Sequence, residues 1–363
     1  MSKKDYRNFN LSGYTLKNSD LAKGQFNQAK LLGADLSGSD LSGADFTQAD
    51  LTGANLEGAD LYSAKFSGAN LTGANLGRAD LTDVDFRDCT MAGVKAMGAK
   101  FSGSNLDNCN INGADFSDSD FSEVVLTNAS MVGTCFDSAK FYRTDFSDSH
   151  VFSASIQGAK FNLCKVENAN LNGSVIAGSV FSDTNFSGVS LENVNLQGCN
   201  FENQILSNVD LSSSNLSNSL FVGASLEGVD LRYARISRAD FQGANLRGSN
   251  LRFARTIGAR FAESDIQEAN LIYTGMFKDE MLDSFPCIKH NKKTRWDDQE
   301  QSNQRRAKRQ QKIQTSTAAI SEDKPLQSQA VVESNNELTE RTTPVQHQRK
   351  GFLFKLGRIF SGN

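Results

Sequence analysis

From Tyr6 to Met276 a large apolar residue recurs at nearly every fifth position, and no insertion or deletion breaks the count. The unit is visible in Ala34-Asp35-Leu36-Ser37-Gly38, Ala44-Asp45-Phe46-Thr47-Gln48, Ala54-Asn55-Leu56-Glu57-Gly58 and Ala244-Asn245-Leu246-Arg247-Gly248. It runs small, Asp or Asn, large apolar, polar, then Gly or another polar residue. A period of five matches neither a helix at 3.6 nor a strand at 2, so the backbone must turn a corner in every unit. The pattern predicts a solenoid. Its central residues fill the bore, at roughly 1.5–3 kcal/mol for each large side chain buried. The residue two before each centre also points inward and is kept small because two inward side chains share one corner; the other three positions face solvent.

Side-chain columns predict the length of one coil. Phe101, Phe121, Phe141, Phe161, Phe181, Phe201, Phe221, Phe241 and Phe261 recur every twenty residues, and Phe26, Phe46, Phe66 and Phe86 form a second column in another phase. Four units therefore make a coil, and the ring column moves to an adjacent face between Phe86 and Phe101. At four units per coil the segment makes about 14 coils, and at a strand spacing of about 4.8 Å it is on the order of 65 Å long. These repeats resemble the pentapeptide-repeat family, whose A(D/N)LXX units form a right-handed quadrilateral β-helix. The resemblance implies an all-β solenoid over residues 1–276. Gln204 is a long polar residue at an inward small position, where a bulge or outward rotation is expected.

After Met276 the count stops. Phe277, Met281, Leu282 and Phe285 share one face of a short helix expected over 277–286, ended by Pro286, which would cap the solenoid. At the other end, bulky Phe9 and Tyr14 are expected to help close the first coils. Residues 287–348 are charged and poor in apolar residues, and read as a largely disordered linker containing at most a solvated helix near 297–314. In the final segment, 349–363, Phe352, Leu353, Leu356, Ile359 and Phe360 fall on one helical face, with Lys355 and Arg358 beside it. Such an amphipathic helix is too short to cross a bilayer and suits an anionic membrane surface. It resembles the C-terminal membrane-targeting helices of bacterial division-site proteins, which implies a cytoplasmic protein held peripherally at the inner membrane. The first six residues contain no apolar signal region.

Composition narrows the chemistry. Cys89, Cys109, Cys164 and Cys199 occupy inward small positions and read as filler; Cys135 faces outward and Cys287 follows the solenoid, and none has zinc-site spacing. His150 is isolated, and His290 and His347 fall beyond the solenoid. Carboxylates two apart, such as Asp83 with Asp85 and Asp118 with Asp120, follow from the repeat itself. The expectation is a non-enzyme with no catalytic residues, no metal and no cofactor.

Acidic side chains outnumber basic ones over 1–276, and the balance reverses over 277–363. Asp20, Asp40, Asp60 and Asp80 stack at coil spacing, but the column continues with Lys100, Lys140 and Lys160. Some proteins of the resembled family mimic duplex DNA with an acidic face and bind type II topoisomerases, which makes a DNA-mimicking modulator one alternative. A secreted bacterial effector using the same tail on host membranes is another. In the last coils Arg232 stacks with Arg252 and Arg235 with Arg255, while Tyr233, Phe253 and Tyr273 stand where the repeat prefers Gly or a small polar residue. These seven residues form the expected partner-binding surface, for a protein partner or for self-association, and a nucleic-acid partner is not expected. Arg247 with Glu227 and Arg260 with Asp240 are expected to be ion pairs between coils. The reading is a scaffold: a rigid β-helix, tethered peripherally to a membrane, presenting one face to a protein.

Overall fold

The computed structural model describes residues 4–298 except 185, 187 and 286, together with 303, 304 and 307. Within it, parallel pairing joins residues before a centre to those twenty positions on, from Asp5 with Gln25 through Asn250 with Asn270. One coil is therefore four five-residue units. In the middle coils the pairing lengthens into three strands, β1 (Lys140–Tyr142), β2 (Lys160–Asn162) and β3 (Val180–Ser182), parallel and in the order β1-β2-β3.

The unit's residue types follow from where its N–H groups go. In the unit centred on Leu36, Leu36 N donates to Asn55 O of the next coil at 2.7 Å, Gly38 N to Glu57 O at 2.9 Å, and Asp40 N back to Ser19 O of the previous coil at 3.0 Å. Ser39 N closes the corner on Leu36 O at 3.2 Å. Only Ser37 N lacks a backbone acceptor, and Asp35 Oδ1 takes it at 3.1 Å. Asp or Asn before the centre thus supplies the one acceptor that the solenoid backbone cannot, as in an Asx turn. The residue two after each centre takes positive φ, for example 65° at Gly38 and 58° at Gln48. At Gly103 (φ 74°) an added Cβ would also collide with Asp83 Oδ1 of the coil before.

The bore is filled as the periodicity requires. Central Leu and Phe and inward Ala residues from position 26 to 86 are essentially inaccessible to solvent. Phe26, Phe46 and Phe66 stack at centroid distances of 4.7 Å, and Tyr6 extends that column onto Phe26 at 4.8 Å. The expected change of face is present: Phe86 meets Phe101 at 6.0 Å and 44°, after which the ring column runs from Phe101 to Phe261, stacked at each step except Phe121 on Phe141, which is tilted at 5.7 Å and 43°.

Three expectations need correction. Gln204 produces no bulge. It is buried, its Oε1 accepts from Thr184 N at 3.2 Å, and its Nε2 donates to Glu202 O at 3.1 Å, so the corner absorbs the amide by hydrogen bonding it. Phe9 and Tyr14 do not cover the first coils; both are more than half exposed, because a corner sized for alanine cannot admit a ring. Residues 287–297, expected within a linker, add a further rung: Lys289 pairs with Asp265 and Arg295 with Asn270, with Ile288 and Thr294 buried. Between that rung and the coils lies α1 (Lys278–Ser284), which buries Met281 and is followed by Phe285, edge-on to Phe261 at 6.5 Å. Pro286 lies outside the described residues.

Candidate functional site

The corner that follows central positions 231, 251 and 271 carries Arg232-Tyr233, Arg252-Phe253 and Ile272-Tyr273 on consecutive coils. All three aromatics occupy the positive-φ position, at 61°, 65° and 67°. A bulky residue held there costs on the order of 1–3 kcal/mol, which Gly or Asn would avoid. The rings recover part of this by stacking outside the solenoid: Tyr233 on Phe253 at 5.0 Å and 11°, Phe253 on Tyr273 at 4.5 Å and 16°. The Arg252 guanidinium lies 4.8 Å from the Phe253 centroid and 5.0 Å from that of Tyr273. Each ring pair contributes about 0.5–1.5 kcal/mol and each exposed cation–π contact about 0.5–1 kcal/mol, so the ladder roughly offsets its own strain and adds little to the fold.

Next around the coil, Arg235 and Arg255 are exposed and directly paired between coils, and neither makes an ion pair among the described residues. Arg238 and Ile257 complete the face, and Ile257 is 81% exposed. Sequence reasoning missed Ile257. The available signal was a large aliphatic residue two positions after Arg255, at a site filled by Ser237 and Ser217 in the coils before.

Two expected roles change. Arg232 is not a free cation: its guanidinium meets Asp230 at 2.6 Å, and the hydrogen bond and charge of that carboxylate raise the Arg232 pKa above its ordinary value. Arg247 reaches forward to Glu268 at 3.5 Å instead of back to Glu227, whereas Arg260 does pair with Asp240, at 3.3 Å. The face therefore unites Tyr233, Phe253, Tyr273, Arg235, Arg252 and Arg255, with Arg232 committed to its neighbour. The membrane-binding set Phe352, Leu353, Lys355, Leu356, Arg358, Ile359 and Phe360 lies outside the described residues.

The geometry limits what the rings can stack with. Bases bind by inserting between or stacking on free ring faces, and here the inner ring faces are occupied by one another or by Arg252. Ring edges, an isoleucine and unpaired guanidinium groups remain, which suits carboxylates and apolar side chains.

Cys89, Cys164 and Cys199 suit no chemistry that needs a thiolate. Contact with Cys109 and burial raise the Cys89 pKa, and burial pushes Cys164 up to about 11 and Cys199 up to about 12. Among the described residues no group of three or more His, Cys, Asp or Glu could hold a metal ion, and no helix is long and apolar enough to cross a membrane.

A family model of the pentapeptide repeat region matches residues 39–116 and 194–271, and one of pentapeptide repeats in eight copies matches 104–141 and 167–203, together more than half of the chain. Among solved structures, HetL, a pentapeptide repeat protein involved in heterocyst differentiation regulation in Nostoc sp. strain PCC 7120, is 22% identical over 73% of this chain and 92% of its own, with a TM-score of 0.24. Full-length QnrB1, a plasmid-mediated fluoroquinolone resistance protein, is 14% identical over 63% of this chain and 94% of its own, with a TM-score of 0.27. A pentapeptide repeat protein of the Arabidopsis thaliana thylakoid lumen is 33% identical over 29% of this chain and 66% of its own, with a TM-score of 0.14. No curated protein matches the chain.

Proposed function

The chain belongs to the pentapeptide-repeat family, and from that premise we propose that it is a non-enzymatic scaffold whose last coils dock an acidic protein partner. The family's right-handed sense and a count of about 14 coils complete this reading. The observation that carries it is the external ladder Tyr233, Phe253 and Tyr273: three aromatics on strained backbone, adding little net stability, beside the bare pair Arg235 and Arg255. Strain that the fold does not need is what a binding surface accounts for. The mechanism is positioning: coils at fixed intervals hold ring edges, Ile257 and guanidinium groups in a rigid array, so little side-chain freedom is lost on binding.

The amphipathic segment 349–363 extends the proposal to peripheral attachment at an anionic membrane surface, supported by its sequence pattern alone. A DNA-mimicking topoisomerase modulator stands second, because an unbroken acidic face is what such mimicry requires and the acidic column changes sign at Lys100.

Affinity capture with the wild-type chain and with an Arg235→Glu/Phe253→Asn/Arg255→Glu variant tests the docking face. An acidic protein should be retained by the first and lost by the second; equal capture by both would sink the assignment. Co-sedimentation with anionic liposomes, comparing the full chain with one ending at Gln348, tests the tether. Salt-sensitive binding lost on truncation is expected, and no binding by the full chain removes the tether from the proposal.

A further inference from the structure

A different face carries a second pattern. The residues that pair directly from coil to coil along it read Asp60, Asp80, Lys100, Asp120, Lys140, Lys160. Their signs are minus, minus, plus, minus, plus, plus. Read from the other end, the order is plus, plus, minus, plus, minus, minus, the opposite charge at each of the six places. We propose that this face is a self-association surface, and that its occupant is a second copy of the same chain lying antiparallel.

A two-fold axis crossing between the coils of Lys100 and Asp120 sets Asp60 opposite Lys160, Asp80 opposite Lys140 and Lys100 opposite Asp120, and symmetry repeats each pair. Both copies share one coil spacing, so the match extends along the whole face; a globular partner would meet it at one or two points. Register is specified as well. Sliding one copy by a coil in one direction brings Asp80 against Asp120 and Lys100 against Lys100, and in the other brings Lys100 against Lys140 and Asp120 against Asp120. Beyond the six, Asp40 meets Val180 and Asp20 meets Asn200, which adds no like-charge contact.

Within one chain each Asp of this ladder accepts from its own turn, Asp60 from Tyr62 N, Asp80 from Thr82 N and Asp120 from Ser122 N, but its charges are mostly unpaired. Lys100 with Asp80, at 3.4 Å, is the one ion pair among these six described residues, while Lys140 and Lys160 are direct neighbours of the same sign and both exposed. The borders of the face supply apolar contact: Tyr62 is 50% exposed, Met97 54%, Tyr142 38% and Leu163 40%. Complementary charge then sets orientation and register while the border side chains bury surface. From Asp20 to Asn200 the face is roughly 45 Å long, and with a width on the order of 15–20 Å it offers about 700–900 Å² per copy, the size of a standard stable interface. Two-fold closure limits the assembly to a dimer.

Sedimentation velocity on the full chain and on two double variants, Lys140→Glu/Lys160→Glu and Asp60→Lys/Asp80→Lys, tests the proposal. Wild type should dimerise, about tenfold or more weakly at high salt. Each variant alone sets four of its six contacts to like charge and should be monomeric, weakened about 100-fold or more. Mixed in equal amounts, the two become complementary at all six places and should form a heterodimer. The quadruple variant, again antisymmetric, should recover the homodimer. Lysine already occupies this position at three coils, so the fold tolerates it, and circular dichroism checks each variant. A wild type that stays monomeric overturns the proposal, as do variants that dimerise like wild type or a mixture that forms no heterodimer.

Discussion

The coils of residues 26–86 and those of residues 146–196 are built on the same five-residue register and differ in how well they fill it. In the first set the centres are Leu and Phe, and the inward small residues are almost all Ala. The second has Val151, Ile156, Val166 and Ile176 at the centres and Ser, Thr and Cys among the inward residues. Phe161, Leu171 and Phe181 retain 4–7% exposure, and a void of about 10 Å³ lies among them, whereas Phe46 and Phe66 retain none. β-Branched centres reach less far into the bore, so the rings there lack some of their contacts.

The inward residues also alter the corners. Above an Ala the turn closes tightly, as in Ala29 N to Phe26 O at 2.9 Å. Ser174 instead donates to Val151 O at 2.6 Å and accepts from Ala154 N at 3.1 Å, and the direct turn bond opens to 3.4 Å. Ser104 does the same to the Leu81 to Val84 corner, at 2.5 and 3.2 Å. A hydroxyl on one coil thus enters the turn of the coil beside it. The β1-β2-β3 sheet lies in the region where such polar inward residues are frequent.

The sharpest way to break this comparison is to remove a ring from each region. Phe46→Ala and Phe181→Ala should each lose about 3–5 kcal/mol in denaturant unfolding, Phe46 near the top of that range and Phe181 near the bottom. Equal losses would show that the void has no energetic consequence. Added volume should act with opposite sign in the two regions. Leu56→Phe overfills a closed bore and should cost about 1–3 kcal/mol, while Val166→Leu places one methylene beside the void and should gain up to about 0.8 kcal/mol; thermal unfolding of both reads the difference.

The smallest expected effect runs the other way and sharpens the contrast. Depressed carboxylates gather in the first coils. Hydrogen bonds from Ser37 hold Asp35 below its ordinary value, and Arg87 does so for Asp85. At Asp45 and Asp80 burial pushes upward, but hydrogen bonds from Thr47 and Thr82 outweigh it. Asp145, lowered by Ser147 and Lys165 against its burial, is the counterpart in the middle coils. A carboxylate whose folded pKa lies below its unfolded one stabilises above the unfolded value and loses that contribution as pH falls through the folded one. Pepsin digestion between about pH 4 and pH 2 should therefore shift cleavage toward the first coils; cleavage that stays concentrated in the middle coils throughout would refute this.

Much of the candidate docking face was legible in sequence. Tyr233, Phe253 and Tyr273 stand out because the register says what should occupy those positions, and the spacing of twenty brings them together. Ile257 was not legible, since one aliphatic residue at a variable position carries no pattern. Nor was the pairing of Arg232 with Asp230 or of Arg247 with Glu268, because long flexible side chains choose among several carboxylates within reach.

The sequence by itself determined the coil length, the inward and outward positions, the ring columns and their change of face, because a period of five without interruption leaves one way to bury the centres. Only the tertiary structure decided the hydrogen bonds around buried Gln204, the corners opened by Ser104 and Ser174, and the return of Lys289 and Arg295 to the solenoid edge. Each depends on a group about a coil away in sequence and one strand spacing away in space, a contact that no local pattern encodes.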